Sequence, residues 1–265
     1  MRKVFEVTQT VKGLGYHEKI AQLADWLRKA KRAMALTGAG ISTESGIPDF
    51  RSPGTGLWEK VDPMAVLSVQ ALRRDPRRFY REGFSLFIST LESAQPNPAH
   101  QVLAWLEEKG FLAGVITQNV DGLHQKAGSR LVFEVHGHMR SGHCLQCRHH
   151  YDMQTIVDFL QKGEVPPLCT CGGVIRPDVT LFGDPMPPDF WRATQEAEKC
   201  DLLLVMGSSL VVAPANTIPE LVERVAIINL GGTGYDYRAD LIINEKASKA
   251  LLDLKAELEK DLRRE

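Results

Sequence analysis

The sequence predicts an α/β protein, a mostly parallel sheet covered by helices on both faces, carrying a smaller helical module that holds a cysteine cluster. Three observations predict it. Apolar runs of strand length recur along the 265 residues, several of them separated by helical patterns. Chemically rich residues stand directly after those runs, where an open parallel sheet binds its ligands. Four cysteines crowd between positions 144 and 171, in a stretch that interrupts the alternation.

Each element has its own signal. Residues 17–32 set Ile20, Leu23, Ala24 and Leu27 at helical spacing with charge on the opposite face. Residues 33–36 form a short apolar run ending in Thr37-Gly38-Ala39-Gly40, a buried strand entering a glycine-rich turn. Further runs of the same kind are 113–117, 131–135, 179–182, 202–206, 226–230 and 241–243. Helical patterns at 98–109 and 188–199 separate several of them, and 247–263 reads as a last amphipathic helix. Strands buried on both faces and linked through helices pair in parallel. Two stretches depart from this: 52–100, helical with Pro and Gly punctuation, and 139–175, which holds the cysteines. The expected division is 1–49, 101–138 and 176–265 for the sheet domain, and 50–100 with 139–175 for the smaller module.

Composition excludes several classes. Hydrophobic residues make up 43% and charged residues 25%, which is ordinary for a soluble globular chain. Lys and Arg total 32 against 33 Asp and Glu, so no overall field favours nucleic acid or an anionic membrane, and direct nucleic-acid binding is not expected. The run Arg73, Arg74, Arg77 and Arg78 reads as a solvated helix face. The first residues carry charge without the apolar core of a secretory signal. The most apolar stretch, 202–212, is broken by Gly207, Ser208 and Ser209 and is too short to span a bilayer. The expectation is a cytoplasmic protein with no membrane partner.

Cys144-x2-Cys147 and Cys169-x-Cys171 stand 21 residues apart. In a reducing compartment such a cluster binds metal rather than forming disulfides. Two cysteine pairs on tight turns offer four thiolates to a tetrahedral Zn2+, and Gly142, Gly172 and Gly173 permit those turns. Four protein ligands leave no open position, so the zinc is expected to be structural. His143, His149 and His150 read as exposed loop histidines, and Cys200 as a small core residue.

The turn Gly38-Ala39-Gly40-Ile41-Ser42-Thr43 follows a strand, and its glycines let backbone N–H groups approach a diphosphate. It is not the dehydrogenase fingerprint, because the third glycine would fall at Thr43 and no acidic residue ends a second strand roughly 20 residues on. Pro48-Asp49-Phe50-Arg51 follows in an irregular loop. Gln118, Asn119 and Asp121 come after the run 113–117, and three such side chains at a strand end are costly to bury unless they bind something. His136 ends the next run. Among the eight histidines its place beside the other strand ends makes it the candidate base.

Taken together, these segments resemble the sirtuin family of NAD-dependent protein deacylases, and bacterial and archaeal members most. The stretches that carry the resemblance are Gly38 to Ser42, Gly46 to Arg51, Thr117 to His124, His136-Gly137, the two cysteine pairs, Arg176-Pro177 through Phe182-Gly183, and Gly207-Ser208-Ser209-Leu210. They keep their order over residues 17–250. The resemblance implies a Rossmann-type domain, a small helical and zinc module, and a cleft between them where NAD, consumed as co-substrate, meets an acetylated protein lysine.

It further implies that Gly38, Ala39, Gly40, Ser42 and Thr43 contact the diphosphate region, and that Phe50 and Arg51 cover the nicotinamide ribose. Gln118 and Asn119 would hold that ribose, and Val120 and Asp121 the carboxamide. Gly207, Ser208, Ser209, Asn229, Leu230 and Ala247 would surround adenosine. Phe182 and Gly183 on one side, with Val211 and Val212 on the other, would sandwich the substrate as an added strand. The implied chemistry is attack of the acetyl oxygen on the carbon bearing nicotinamide, with Asn119 positioning the reactants. His136 then removes a proton through the ribose hydroxyls, and lysine and O-acetyl-ADP-ribose are released. Two departures stand out. The second cysteine pair has a one-residue gap where many relatives have two. Members that remove succinyl or malonyl groups carry Tyr-x-x-Arg, whereas here Tyr80 is followed three residues later by Gly83. The expected preference is for acetyl and other uncharged acyl groups.

Overall fold

A computed structural model describes residues 13–49, 62–85, 88 and 93–262. Among the described residues the strands are β1 (Ala33–Thr37), β2 (Val115–Thr117), β3 (Val132–Glu134), β4 (Gly137–Cys144), β5 (His150–Asp152), β6 (Ile175–Val179), β7 (Leu202–Met206), β8 (Arg224–Ile228) and β9 (Leu241–Ile243). The α-helices are α1 (Tyr16–Lys29), α2 (Pro63–Val66), α3 (Val69–Arg74), α4 (Pro76–Arg78), α5 (Pro98–Glu108), α6 (Leu123–Lys126), α7 (Met153–Gln161), α8 (Pro188–Ala197) and α9 (Ala247–Leu262).

Six strands form one sheet in the order β3-β2-β1-β7-β8-β9, with every neighbouring pair parallel. Alternation along the central strands explains the layers. Ala33, Ala35, Leu204 and Met206 face a core built with Leu23, Leu27, Leu103 and Leu254 from α1, α5 and α9. Met34, Leu36, Leu203 and Val205 face the opposite core, with Phe190, Ala193 and Ala197 of α8. β1 and β7 are buried at every position, which is why they read as unbroken apolar runs. Truncating one such side chain, Leu204→Ala for instance, costs ~2–5 kcal/mol.

Local chemistry sets the helix ends. The Gly15 N–H donates to Glu18 Oε2 at 2.7 Å to start α1, and Ala30 is extended, which ends the helix just before β1. Asn97 caps α5 by accepting from Ala99 N at 2.9 Å, with Pro98 at the first helical position. The sheet order places β1 beside β2 on one side and β7 on the other. The chain reverses its direction of travel across the sheet at this point, and a crevice opens beyond the strand ends.

The smaller module is a three-stranded antiparallel sheet, β5-β4-β6, with α7 against it. Leu72, Phe79, Tyr80, Phe84, Ile156 and Ile175 form its core together with Cys144 and Cys169. The segment 79–84 is a single wide helical turn following α4.

Several expectations change. The run 179–182 is not a strand of the parallel sheet. The strand there is β6, displaced toward the N-terminus, and it belongs to the small sheet. Pro177 masked it as a strand, yet β6 is an edge strand, where a residue without an N–H is tolerated. The expected junctions at 100/101, 138/139 and 175/176 fall inside α5, β4 and β6 respectively, because these elements run through the points where composition changes. The turn after β1 runs into two short 3₁₀ turns, Ala39–Ile41 and Thr43–Ser45. His143 is not an exposed loop residue either. It lies in β4 with Nδ1 at 2.5 Å from Asp178 Oδ1, while His149 and His150 are exposed. Cys200 is buried in the core, as expected.

Candidate active site

Parallel pairing sends all six strand ends to one rim, and the polar segments that follow them meet there. The glycine turn after β1 crosses the turn after β7 in close contact. Gly38 N donates to Met206 O at 3.1 Å and Gly40 N to Gly207 O at 2.8 Å. Gly207 has φ +58, and a Cβ there would stand 2.2 Å from Ile41 N, so only glycine fits the crossing.

The segment after β2 is held from beneath. Gln118 N donates to Thr37 O at 3.0 Å, and Gln118 Nε2 to Ser208 Oγ at 2.9 Å, linking the ends of β1, β2 and β7. Asn119 Nδ2 donates to Gly38 O at 3.2 Å and to Ser42 Oγ at 3.0 Å, which fixes the orientation of the amide. Ser42 Oγ in turn donates to Asp121 Oδ2 at 2.7 Å, while Asp121 Oδ1 accepts from Leu123 N at 2.9 Å.

His136 follows β3, with Nδ1 at 3.1 Å from Gln118 O. A carbonyl oxygen only accepts, so Nδ1 carries the proton and Nε2 keeps its lone pair. Burial lowers the pKa of the ring below its ordinary value, and the bond to Gln118 opposes this. The imidazole is thus held neutral, in the tautomer a base needs.

A cavity of about 910 Å3 runs across this rim and into the face of the smaller module. Gly38, Ala39, Gly40, Ser42 and Thr43 line it, as do Gln118, Asn119, Val120, Asp121 and His136. Gly207, Ser208, Ser209, Asn229, Leu230 and Ala247 line its far end, and Phe182, Gly183 and Val212 its side. Val211 is not in the lining and is 52% exposed. Phe50 and Arg51 lie outside the described residues.

Sequence reasoning missed the layer below. His124 Nε2 lies 2.9 Å from Thr37 Oγ1, and Thr37 Oγ1 donates to Thr117 Oγ1 at 2.9 Å. His100 Nε2 lies 3.4 Å from Ser42 Oγ, and its ring sits 4.9 Å from that of His124. Burial pushes His100 down to about 4 and His124 down to about 3, so both are neutral supports. His124 stands in a stretch singled out above, but no periodicity marks a histidine on α5 as its neighbour. Asn97, the cap of α5, was not singled out in the sequence either. Its Nδ2 also donates to Ile41 O at 2.7 Å, tying the helix start to the glycine turn.

The cysteines converge as spacing suggested. All four Sγ atoms lie within 4.8 Å of one another, with Cys144–Cys171 and Cys147–Cys169 each at 3.5 Å. Four ligands at about 2.3 Å from a tetrahedral Zn2+ stand about 3.8 Å apart, so the cluster fits zinc. The separations exclude disulfides, whose sulfurs lie about 2.05 Å apart. The N–H groups of Cys147 and Gln146 point at Cys144 Sγ from 3.5 and 3.3 Å and lower its pKa, favouring the thiolate a metal binds.

Sheet order, crossed glycine turns and a cavity at the switch point define a dinucleotide-binding α/β protein. A cysteine-bearing module closes one side of its cleft. The chain belongs to the Sir2 family, whose model matches residues 38–214. It is 54% identical over 232 residues, covering 87% of this chain and 92% of the relative, to NAD-dependent protein deacetylase 2 of Caldanaerobacter subterraneus subsp. tengcongensis. It is 45% identical over 235 residues, covering 87% and 93%, to the NAD-dependent protein deacetylase of Saccharolobus solfataricus. Among solved structures it resembles one from work on the mechanism and regulation of Sir2 enzymes, with TM-score 0.84 and 42% identity over 92% of this chain and 99% of the other. It also resembles a Sir2 variant bound to deacetylated p53 peptide and 3'-O-acetyl-ADP-ribose, with TM-score 0.85 and 36% identity over 90% and 98%.

Proposed function

We propose that this chain is an NAD-dependent protein-lysine deacetylase that releases nicotinamide, free lysine and O-acetyl-ADP-ribose. One observation carries the reading. The His136 ring lines the cavity with Nδ1 tied to a carbonyl, so Nε2 is a preset proton acceptor at the rim where such a sheet binds a dinucleotide. Membership of a family whose named members are NAD-dependent deacetylases supports it.

NAD, when bound, supplies an electrophilic carbon with nicotinamide as leaving group. Gly38, Ala39, Gly40, Ser42 and Thr43 hold the diphosphate region by close backbone approach. Gly207, Ser208 and Ser209, with Asn229, Leu230 and Ala247, hold adenosine. Gln118 and Asn119 orient the nicotinamide ribose, Val120 and Asp121 the carboxamide, and His136 accepts a proton at Nε2. Phe50 and Arg51 cover the ribose. Phe182, Gly183 and Val212 receive the acyl-lysine peptide, with Val211 at the rim. Cys144, Cys147, Cys169 and Cys171 hold one structural Zn2+.

The acyl group is acetyl or another uncharged one. Gly83 is buried, and a Cβ there would stand 2.7 Å from Val66 O, so this position supplies no guanidinium to an acidic acyl group. Higher kcat/KM on succinyl-lysine than on acetyl-lysine peptides would overturn that preference. No helix among the described residues is long and apolar enough to cross a membrane. The free thiols and near-neutral charge suit a cytoplasmic enzyme acting on protein lysines rather than on nucleic acid. The test is incubation with an acetyl-lysine peptide, with and without NAD, following nicotinamide release and peptide mass. NAD-dependent loss of one acetyl mass supports the reading, and absence of any NAD affinity removes it.

A further inference from the structure

The segment 180–184 forms part of the cavity wall and is bonded both to the residue after β3 and to the smaller module. Thr180 N donates to the backbone oxygen of His136 at 2.8 Å. Phe182 N donates to Leu67 O at 3.1 Å, and Val69 N donates to Phe182 O at 3.0 Å, so this residue is paired to the helical part of the smaller module. Gly183, at φ +88, turns the chain back. Beyond these backbone bonds, the segment belongs to no strand or helix of the fold.

An ion pair braces it as well. Arg176, in β6, donates from Nη1 and Nη2 to Asp184 Oδ1 and Oδ2 at 3.1 and 2.6 Å, the paired geometry a guanidinium gives a carboxylate. Both side chains are largely buried, at 10% and 14% exposed. The same guanidinium donates to Val179 O at 2.8 Å and to Pro177 O at 3.3 Å. Asp184 Oδ2 also accepts from Leu181 N at 2.9 Å, and Asp184 N donates to Leu181 O at 3.0 Å. One pair thereby fixes the backbone on both flanks of Thr180, Leu181 and Phe182.

We propose that Arg176 and Asp184 are positioning residues for the acyl-lysine peptide. Their pairing holds residues 180–183 in the conformation that receives the substrate strand, and so sets peptide affinity independently of NAD affinity. This rests on the deacetylase reading above. Without the pair the segment samples other conformations, and the peptide must bind the fraction that remains competent.

The test compares wild type, Asp184→Asn, Asp184→Glu and the double variant Arg176→Met/Asp184→Leu, which leaves no unpaired buried charge. A fluorescein-labelled acetyl-lysine peptide reports affinity by anisotropy, and steady-state assays give KM for peptide and for NAD. Circular dichroism and zinc content report folding. The expected result for Asp184→Asn and the double variant is peptide Kd and KM raised about tenfold or more, the size of a lost charge-assisted hydrogen bond. KM for NAD should stay within about twofold, and Asp184→Glu should recover most of the loss. If Asp184→Asn does not fold, the double variant carries the test. A folded double variant with wild-type peptide affinity overturns the proposal. So does a parallel loss of NAD and peptide affinity together with secondary structure in both variants. Wild-type protein with no NAD-dependent deacetylation would instead sink the deacetylase reading.

Discussion

At the scale of single residues, the three buried imidazoles near the strand ends differ: His136 lines the cavity, while His100 and His124 lie beneath it. His136 has Nδ1 fixed by Gln118 O, and the role proposed for it uses the lone pair on Nε2. His136→Tyr should therefore lower deacetylation by roughly 10²–10⁴-fold or to background, with circular dichroism and zinc content unchanged. An active variant would remove His136 from its role. Because burial lowers its pKa, kcat/KM should be flat through neutrality and fall only in acid, as Nε2 becomes protonated. His100 and His124 do something different. They are held neutral at about 4 and about 3, against near 6.5 in an unfolded chain. Below pH 6.5 the unfolded chain binds protons that the folded chain refuses. The stability these groups contribute is therefore whole above that value, erodes as pH falls, and is gone once pH passes through the folded values. Urea midpoints should drop between pH 7 and 5, and drop less in His124→Gln. Identical pH slopes for the two proteins would show that this term is absent.

At the scale of elements, turns carry the specificity and strands carry the position. Gly207→Ala forces a Cβ to within 2.2 Å of Ile41 N at a positive φ. It should cost more than about 2 kcal/mol and weaken NAD binding together with folding, measured by urea titration and by NAD titration. A variant with wild-type values in both would mean that the two turns do not need their close crossing. This scale also explains what could be read in advance. β1, β7 and β9 were legible because every position is buried or nearly so, and α1 because Ile20, Leu23, Ala24 and Leu27 keep helical phase. The cysteine cluster was legible from its spacing, and the polar segments at the strand ends drew notice because amide and carboxyl groups are costly to bury unpaired. β6 was not legible, since a proline inside a strand is allowed only at a sheet edge, and edges are a property of topology. The support from His100 was not legible either. Its contact with Ser42 joins positions 58 residues apart, and only packing of α5 on the sheet brings them together. The pair of Arg176 and Asp184 escaped for a similar reason, because a charge in a loop is ordinarily solvated and only the fold buries this one.

At the scale of the whole molecule, two cores of unequal strength share one cavity. The parallel sheet is packed on both faces, while the smaller module has a thin core of aromatic and aliphatic side chains completed by Cys144 and Cys169. Four cysteines placed to hold one metal stand inside that core, so metal binding there would add folding energy directly. The cavity wall at Phe182 is bonded to Leu67 and Val69 on the module side, whereas the turns at Gly38 and Gly207 are bonded to the parallel sheet. Zinc removal should therefore act unequally on the two ligands. After treatment with a strong chelator, one equivalent of zinc per chain should appear in solution. Limited proteolysis should cut within the smaller module first, and affinity for an acetyl-lysine peptide should fall much further than affinity for NAD. Re-addition of zinc should restore peptide binding, because no catalytic group has been lost. Should the metal-free protein resist proteolysis and keep full activity, the module would have to be stable on its thin core alone, and the structural role of the four cysteines would be refuted.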